Sequence, residues 1–137
     1  MNVFLDSSAL VKRYLEEKGS AAVEQICVKA SHIIVSIVAL PEVFSALNRK
    51  KREQVVSQQQ YEIIKRALFS ECEEFLTCPL SPAVIKLSID FTEKFPLRAM
   101  DALHLACAVD FNAELFVSSD ERQVNAARDL KLKVMQV

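Results

Sequence analysis

The chain has 137 residues, and 51% of them are hydrophobic, which is enough for one domain with a single core. A net charge of −1 and a pI near 6.1 exclude a protein that holds nucleic acid through bulk positive charge. They allow an enzyme that contacts nucleic acid through a few local residues. Apolar runs stay short of the roughly 20 residues that cross a bilayer, so no membrane association is expected. We therefore predict a single domain over residues 1–137.

Four cysteines are scattered along the sequence without a CxxC pair, and no export signal precedes the acidic residue at position 6. Most of them lie in apolar or helical surroundings, where a thiol usually acts as a small hydrophobic group. A reducing cytoplasm is the expected location.

The first half of the chain alternates apolar runs with helical patterns. Residues 2–6 form a predicted strand, and a helix over residues 7–18 ends at Gly19, the only glycine. A second helix follows directly, and the β-branched run at residues 33–35 predicts another strand. Pro41 fits the first turn of the next helix, which ends in the basic run at residues 49–52.

The second half continues the alternation. We predict helices at 57–75, 81–95, 98–111 and 121–130, and strands at 75–78, 115–117 and 133–137. The helix over 98–111 is apolar around nearly its whole circumference, which is typical of a core helix. Strands that alternate with helices predict a three-layer α/β/α sandwich with a central parallel sheet.

Acidic residues stand beside the predicted strands. Asp6 closes the first strand, Glu42 follows the second, and Asp101 and Asp120 flank the strand at 115–117. Ligands of open α/β sheets bind at the carboxyl ends of the strands. Asp6 and Asp120 could each be only helix N-caps, which accept backbone N–H bonds.

Glu42 and Asp101 are harder to explain as caps. A capping box would need Ser or Thr three residues before Glu42, where the sequence has Ala39. Asp101 lies in the first turns of a helix that is otherwise built for burial, and the helix dipole alone does not explain a charge there. These two carboxylates predict a site with a partner of opposite charge.

A divalent cation is the partner that the composition favours. Two carboxylates about 5 Å apart repel by roughly 3 kcal/mol at an effective dielectric constant near 20, and no matching set of Lys or Arg is apparent. Carboxylate oxygens suit Mg²⁺ or Mn²⁺, whereas zinc would need Cys or His at ligand spacing. Such an ion activates water for attack on a phosphodiester and neutralises the leaving oxygen.

His104 is the only histidine near the acids, and we expect it to support them or to pack in the core, with direct metal ligation as the alternative. The serines beside the acids lack a neighbouring base, so we interpret them as caps and as donors that orient Asp6 and Asp120; two of them, Ser7 and Ser118, are also candidate substrate contacts. Arg13 and Arg98 are the candidate phosphate contacts, because a guanidinium binds phosphate through two hydrogen bonds. The basic run at 49–52 could serve the same purpose, or it could be a solvated helix end.

Five stretches together resemble the PIN-domain family, and within it the VapC-type toxins of prokaryotic toxin–antitoxin pairs. They are residues 6–12 with 17–20 (DSSALVK and EKGS), 41–43 (PEV), 101–106 (DALHLA) and 118–120 (SSD). The resemblance spans nearly the whole chain and includes all four acids, although Lys131 stands where many relatives have glycine and no aromatic follows Asp120. It implies Mg²⁺- or Mn²⁺-dependent cleavage of RNA by these acids, a homodimer, and inhibition by a cognate antitoxin.

Two rival functions remain at this point. A phosphatase of the haloacid-dehalogenase class also begins with a strand that ends in Asp, but it needs a second Asp two positions later, where Ser8 stands. The other rival is a PIN-like scaffold that binds RNA or protein without catalysis. The apolar residues of the two helices around Gly19 further predict an exposed groove for the antitoxin or for a second copy of the chain. They include Leu10, Val11, Tyr14, Leu15, Val23 and Ile26.

Overall fold

The computed structural model describes residues 1–137 and contains five strands and seven α-helices. The strands are β1 (Asn2–Leu5), β2 (His32–Ser36), β3 (Leu76–Cys78), β4 (Leu115–Ser118) and β5 (Lys133–Gln136). The helices are α1 (Ser7–Leu10), α2 (Ser20–Lys29), α3 (Ala39–Arg52), α4 (Gln58–Cys72), α5 (Pro82–Lys94), α6 (Ala99–Asp110) and α7 (Glu121–Asp129). No helix is long and apolar enough to cross a membrane.

All five strands are parallel and lie in the order β3-β2-β1-β4-β5. Phe4 in the central strand pairs with Ile34 on one side and with Phe116 on the other. After β1 the chain builds the sheet outward in one direction through β2 and β3, and then returns to the other side of β1 with β4. This reversal opens a crevice at the carboxyl ends of β1 and β4, where ligands of such sheets bind.

Helices cover both faces of the sheet, which confirms the predicted sandwich. On one face Phe4 and Phe116 stack with ring centres 5.4 Å apart and pack against α5, α6 and α7. On the other face Leu5 and Val35 pack against the helices from α1 to α4. The predicted core helix α6 is buried on most sides, and complete burial of each large apolar side chain contributes about 1.5–3 kcal/mol to folding.

The first helix is shorter than predicted. α1 ends at Leu10 and continues as a 3₁₀ turn at Val11–Arg13, whereas the sequence pattern predicted a helix to residue 18. The hydroxyl of Ser20 donates to the carbonyl of Leu15 at 3.0 Å, which satisfies that carbonyl outside a helix. Gly19 has φ +94°, and a Cβ there would lie 2.9 Å from the backbone carbon of Val137, so both conformation and space require glycine.

Candidate active site

A cavity of about 560 Å³ lies at the carboxyl end of the β1–β4 crevice. Its lining includes all four predicted acids: Asp6, Glu42, Asp101 and Asp120. Each reaches the cavity from a different element, since Asp6 follows β1, Glu42 lies in the first turn of α3, Asp101 in the first turn of α6, and Asp120 caps α7. The fold thus brings together side chains that are far apart in the sequence.

Asp6 is the deepest of the acids, with only 1% of its surface exposed. Its Oδ1 accepts hydrogen bonds from the Ser8 hydroxyl at 2.6 Å and from the Ala9 backbone N–H at 2.9 Å. Its Oδ2 accepts from the Ser118 hydroxyl at 2.6 Å and from the Gln123 amide at 3.0 Å. Burial raises the pKa of the Asp6 carboxyl above its usual value although the Ser118 and Ser8 hydrogen bonds oppose the shift.

The two serines that hold Asp6 are themselves fixed by the backbone after β4. Ser8 Oγ accepts from the backbone N–H of Ser119 at 3.0 Å, and Ser118 Oγ accepts from that of Asp120 at 2.9 Å. These bonds join the ends of β1 and β4. Both hydroxyls donate to Asp6, in agreement with the orienting role predicted for them there, whereas the Asp120 carboxylate accepts no serine hydroxyl.

Glu42 is held by Ser7 and His104. The Ser7 hydroxyl donates to Glu42 Oε1 at 2.6 Å, and Nε2 of the buried His104 hydrogen-bonds to the same oxygen. Partial burial acts to raise the pKa of Glu42, but the hydrogen bonds of His104 and Ser7 outweigh it and the pKa is lowered. The predicted supporting role of His104 agrees with this contact, which keeps Glu42 ionised.

Asp101 and Asp120 are more accessible. Asp101 accepts from the Arg98 backbone N–H at 3.3 Å and lies 3.9 Å from the Arg98 side chain. Asp120 accepts from the Arg122 backbone N–H at 2.9 Å, which is the capping role that the sequence allowed for it. Each of these carboxylates retains oxygen lone pairs that face the cavity or solvent.

Gln123 is a site residue that the sequence interpretation missed. Its amide nitrogen donates to Asp6 at 3.0 Å and to Asp101 at 3.1 Å, and only 4% of the residue is exposed. A signal was present, because Gln123 shares the buried face of α7 with Val124 and Ala127. A polar residue at helical spacing among buried apolar ones suggests a specific buried partner.

The basic residues divide into two groups. Arg98 lines the cavity, as do Arg49 and Lys50 from the end of α3. Arg13 does not: its guanidinium lies 3.1 Å from Glu71 and 3.9 Å from Glu24. The structure therefore places Arg13 in an ion-pair cluster between helices, away from the site for which it was a candidate.

The two serines proposed as substrate contacts also differ. Ser7 lines the cavity, whereas Ser118 is completely buried beneath it and bonds to Asp6. Ser118 is thus placed to orient a carboxylate, and its hydroxyl has no exposed surface for a substrate.

The donor set of the cavity fits Mg²⁺ or Mn²⁺ in chemical type. All four acids offer carboxylate oxygens, while the four cysteines do not line the cavity. No three His, Cys, Asp or Glu side chains are assembled closely enough to hold an ion directly. Mg²⁺ is commonly bound through one or two carboxylates with water in its other positions, so this arrangement is compatible with it.

The chain belongs to the PIN domain family, whose family model, described as PIN domain, matches residues 3–129. No curated protein matches the chain.

Solved structures of similar fold include proteins of toxin–antitoxin systems. VapC20 of Mycobacterium tuberculosis, described as a sarcin-ricin loop cleaving toxin, matches with a TM-score of 0.70 and 12% identity over 90% of this chain and 94% of that chain. VapBC2 of Rickettsia felis, bound to a DNA fragment of its promoter, matches at 0.67 and 14% over 100% and 99%. FitAcB of Neisseria gonorrhoeae matches at 0.69 and 13% over 98% and 96%. At these identities the similarity establishes the fold.

Proposed function

We propose that the protein is a metal-dependent endoribonuclease and the toxin of a toxin–antitoxin pair, acting as a single domain over residues 1–137. The observation that carries the proposal is the cavity at the carboxyl ends of β1 and β4, where the strand order reverses. Four acids line it: Asp6, Glu42, Asp101 and Asp120. VapC20, a toxin that cleaves the sarcin-ricin loop, shares this fold and supports the assignment. The family match over residues 3–129 supports it further.

The four acids would hold one or two Mg²⁺ or Mn²⁺ ions, directly or through water molecules that complete the coordination. When bound, such an ion lowers the pKa of water, polarises the phosphate and neutralises the leaving oxygen. The chain supplies the positioning: Ser8 and Ser118 fix Asp6, and His104 with Ser7 fixes Glu42 in its ionised form. These contacts keep the carboxylates oriented before metal and substrate arrive.

The cationic side chains at the cavity give it a means to hold an RNA backbone. Arg98 stands at the start of α6 with 78% of its side chain exposed, and Arg49 and Lys50 line the cavity from the last turn of α3. Guanidinium groups bind phosphate with two parallel hydrogen bonds. We propose that these residues, and Ser7 beside Glu42, contact the RNA.

A groove of about 500 Å³ next to the cavity suits a protein partner. Tyr14 and Leu15, two of the residues predicted to form an exposed groove, line it together with the exposed Val55 and Ile63. We propose that a helical segment of the cognate antitoxin binds here, as amphipathic helices bind apolar grooves. The protein would be a cytoplasmic homodimer, in keeping with its four free cysteines.

A catalytically inactive scaffold is the second candidate. The observation in its favour is that no three potential ligands are close enough to hold an ion directly, so a metal-binding measurement separates the two. Binding of Mn²⁺ that depends on the four acids would favour the nuclease. Absence of binding would favour the scaffold.

The nuclease proposal is tested by Asp101→Asn, with Asp110→Asn at the exposed end of the same helix as the matched control. Asp101→Asn keeps the shape and removes one ligand charge, so we expect no cleavage of cellular RNA with Mg²⁺ and an equal or higher Tm in EDTA. The control should cleave like the wild type, and sequencing of new RNA ends after brief induction would identify the substrate. Activity retained by Asp101→Asn would overturn the assignment.

A further inference from the structure

Asp6 has no free acceptor position in this structure. A carboxylate offers about four lone-pair sites, and four donors occupy those of Asp6. A metal ion can therefore bind Asp6 only if one of the four donors leaves.

Three of those donors are fixed in place. The Ala9 N–H belongs to the backbone at the start of α1, where Asp6 is the N-cap. The hydroxyls of Ser8 and Ser118 each accept a backbone N–H, from Ser119 and Asp120, while they donate to Asp6. Moving either serine would leave a backbone donor without its partner, at a cost typical of an unsatisfied group.

Gln123 is the exception. Its amide is at the end of a flexible side chain, and its second hydrogen bond goes to Asp101, another of the proposed ligands. Its Oε1 is buried and has no hydrogen-bond partner, so the present arrangement leaves this residue incompletely satisfied. The amide supplies two hydrogens of positive partial charge between two carboxylates, which is the kind of contact that a cation would also make there.

We propose that the Gln123 side-chain amide holds the place of the cation between Asp6 and Asp101, and that it must release Asp6 before the ion binds. The inference rests on the proposed metal site and adds a positioning residue that sets its affinity. Gln123 stabilises the protein without metal by separating two like charges, and the same contacts compete with the ion. Metal affinity is thereby lower than the four acids alone would give.

The test measures Mn²⁺ binding by the Gln123→Met variant. Binding is monitored by calorimetry and by the loss of the paramagnetic resonance signal of free Mn²⁺. Met has nearly the shape of Gln but donates no hydrogen bond. We expect Mn²⁺ to bind about tenfold more tightly than in the wild type, since the ion no longer displaces a charge-assisted hydrogen bond, and we expect a lower Tm in EDTA. Gln25→Met, the same change on the exposed side of α2, should alter neither quantity.

Two further measurements guard against failure of this variant to fold. Gln123→Ala should also gain affinity, because a water molecule that fills the space is easier to displace than the tethered amide. In the wild type, the side-chain ¹⁵N–H₂ resonances of Gln123 should shift as diamagnetic Mg²⁺ is added. Equal or weaker Mn²⁺ binding by both variants, or resonances that stay in place at saturating Mg²⁺, would overturn the inference while leaving the metal site intact.

Failure of the proposed function itself would give a different result in the Mn²⁺ binding measurements. If the wild type binds no Mn²⁺ by either method, the metal site itself is overturned, and the role of Gln123 is overturned with it.

Discussion

The Ser118 hydroxyl lies 2.6 Å from Oδ2 of Asp6, and both residues are almost completely buried. This bond joins the end of β4 to the end of β1. These two parallel strands are the pair at which the order of strand addition reverses. The bond holds the Asp6 carboxylate at the bottom of the cavity, where almost none of its surface is open to water. The Asp6 carboxylate depends on protein donors, and burial still raises its pKa.

The raised pKa of Asp6 predicts a pH-dependent stability in EDTA. A group whose pKa is higher in the folded state contributes stability that is complete below its unfolded pKa, about 3.9, and is lost as pH rises through the folded value. Asp6→Asn removes this titration. We therefore expect the free energy of unfolding of Asp6→Asn to increase relative to that of the wild type over the range from about pH 4 upward.

Denaturant unfolding of both proteins across that range measures the difference directly. Asp90→Asn, on the exposed side of α5, is the matched control and should follow the wild type at every pH. A difference between Asp6→Asn and wild type that is constant with pH would show that Asp6 titrates normally in the fold.

Metal binding should offset the free-energy cost of placing these carboxylate charges in the cavity. At 100 times its dissociation constant, Mn²⁺ should stabilise the wild type by about 2.7 kcal/mol, because the folded site binds the ion and the unfolded chain does not assemble it. Asp6→Asn should lose most of that gain, and Asp90→Asn should keep it. Comparing each protein with itself, with and without Mn²⁺, removes differences in basal stability. A wild-type Tm that does not change with Mn²⁺ would contradict the site.

Much of the fold follows from local patterns in the sequence. The β-branched and apolar runs predicted all five strands, and Ser57 and Ser81 begin α4 and α5 as N-caps. The convergence of the four acids also followed, because the carboxyl ends of parallel strands share one edge of a sheet. The length of α1 did not follow, since the Ser20 hydroxyl that satisfies the Leu15 carbonyl belongs to the next helix.

The contacts between distant side chains were beyond the sequence patterns. Gln123 reaches Asp6 across 117 positions, and only the packing of α7 against the sheet brings them together. We predicted Arg13 to lie near the acids because it follows β1 closely along the chain. The 3₁₀ turn instead directs it toward Glu71 of α4, because the turn changes the face on which residue 13 emerges.

The different locations of Arg98 and Arg13 predict different effects on RNA. Arg98→Ala removes an exposed guanidinium at the cavity, so it should weaken binding of RNA by the inactive Asp101→Asn protein and reduce the salt dependence of binding, with little change in Tm. Arg13→Ala breaks a partly buried ion pair with Glu71, so it should lower Tm by several degrees and leave RNA affinity unchanged.

Electrophoretic mobility shifts with total RNA at two salt concentrations, together with thermal melts, separate these outcomes. Weaker RNA binding by Arg13→Ala, with Arg98→Ala unaffected, would reverse the assignment of the two arginines.

The groove beside the cavity predicts which surface the proposed antitoxin would occupy. Ile63 lines this groove with 56% of its surface exposed, whereas Ile89 is 53% exposed on α5, which packs on the opposite face of the sheet. Ile63→Glu should weaken binding of the proposed antitoxin by tenfold or more, about 1.4 kcal/mol, because a charge would be buried against an apolar helix face. Ile89→Glu makes the same change at nearly the same exposure and should bind like the wild type.

Both variants are purified, their masses in solution are measured, and their affinity for the co-expressed partner is titrated. A monomeric Ile63→Glu protein would show that the groove is the homodimer contact instead, and a dimer that still binds the partner with wild-type affinity would exclude both uses of the groove.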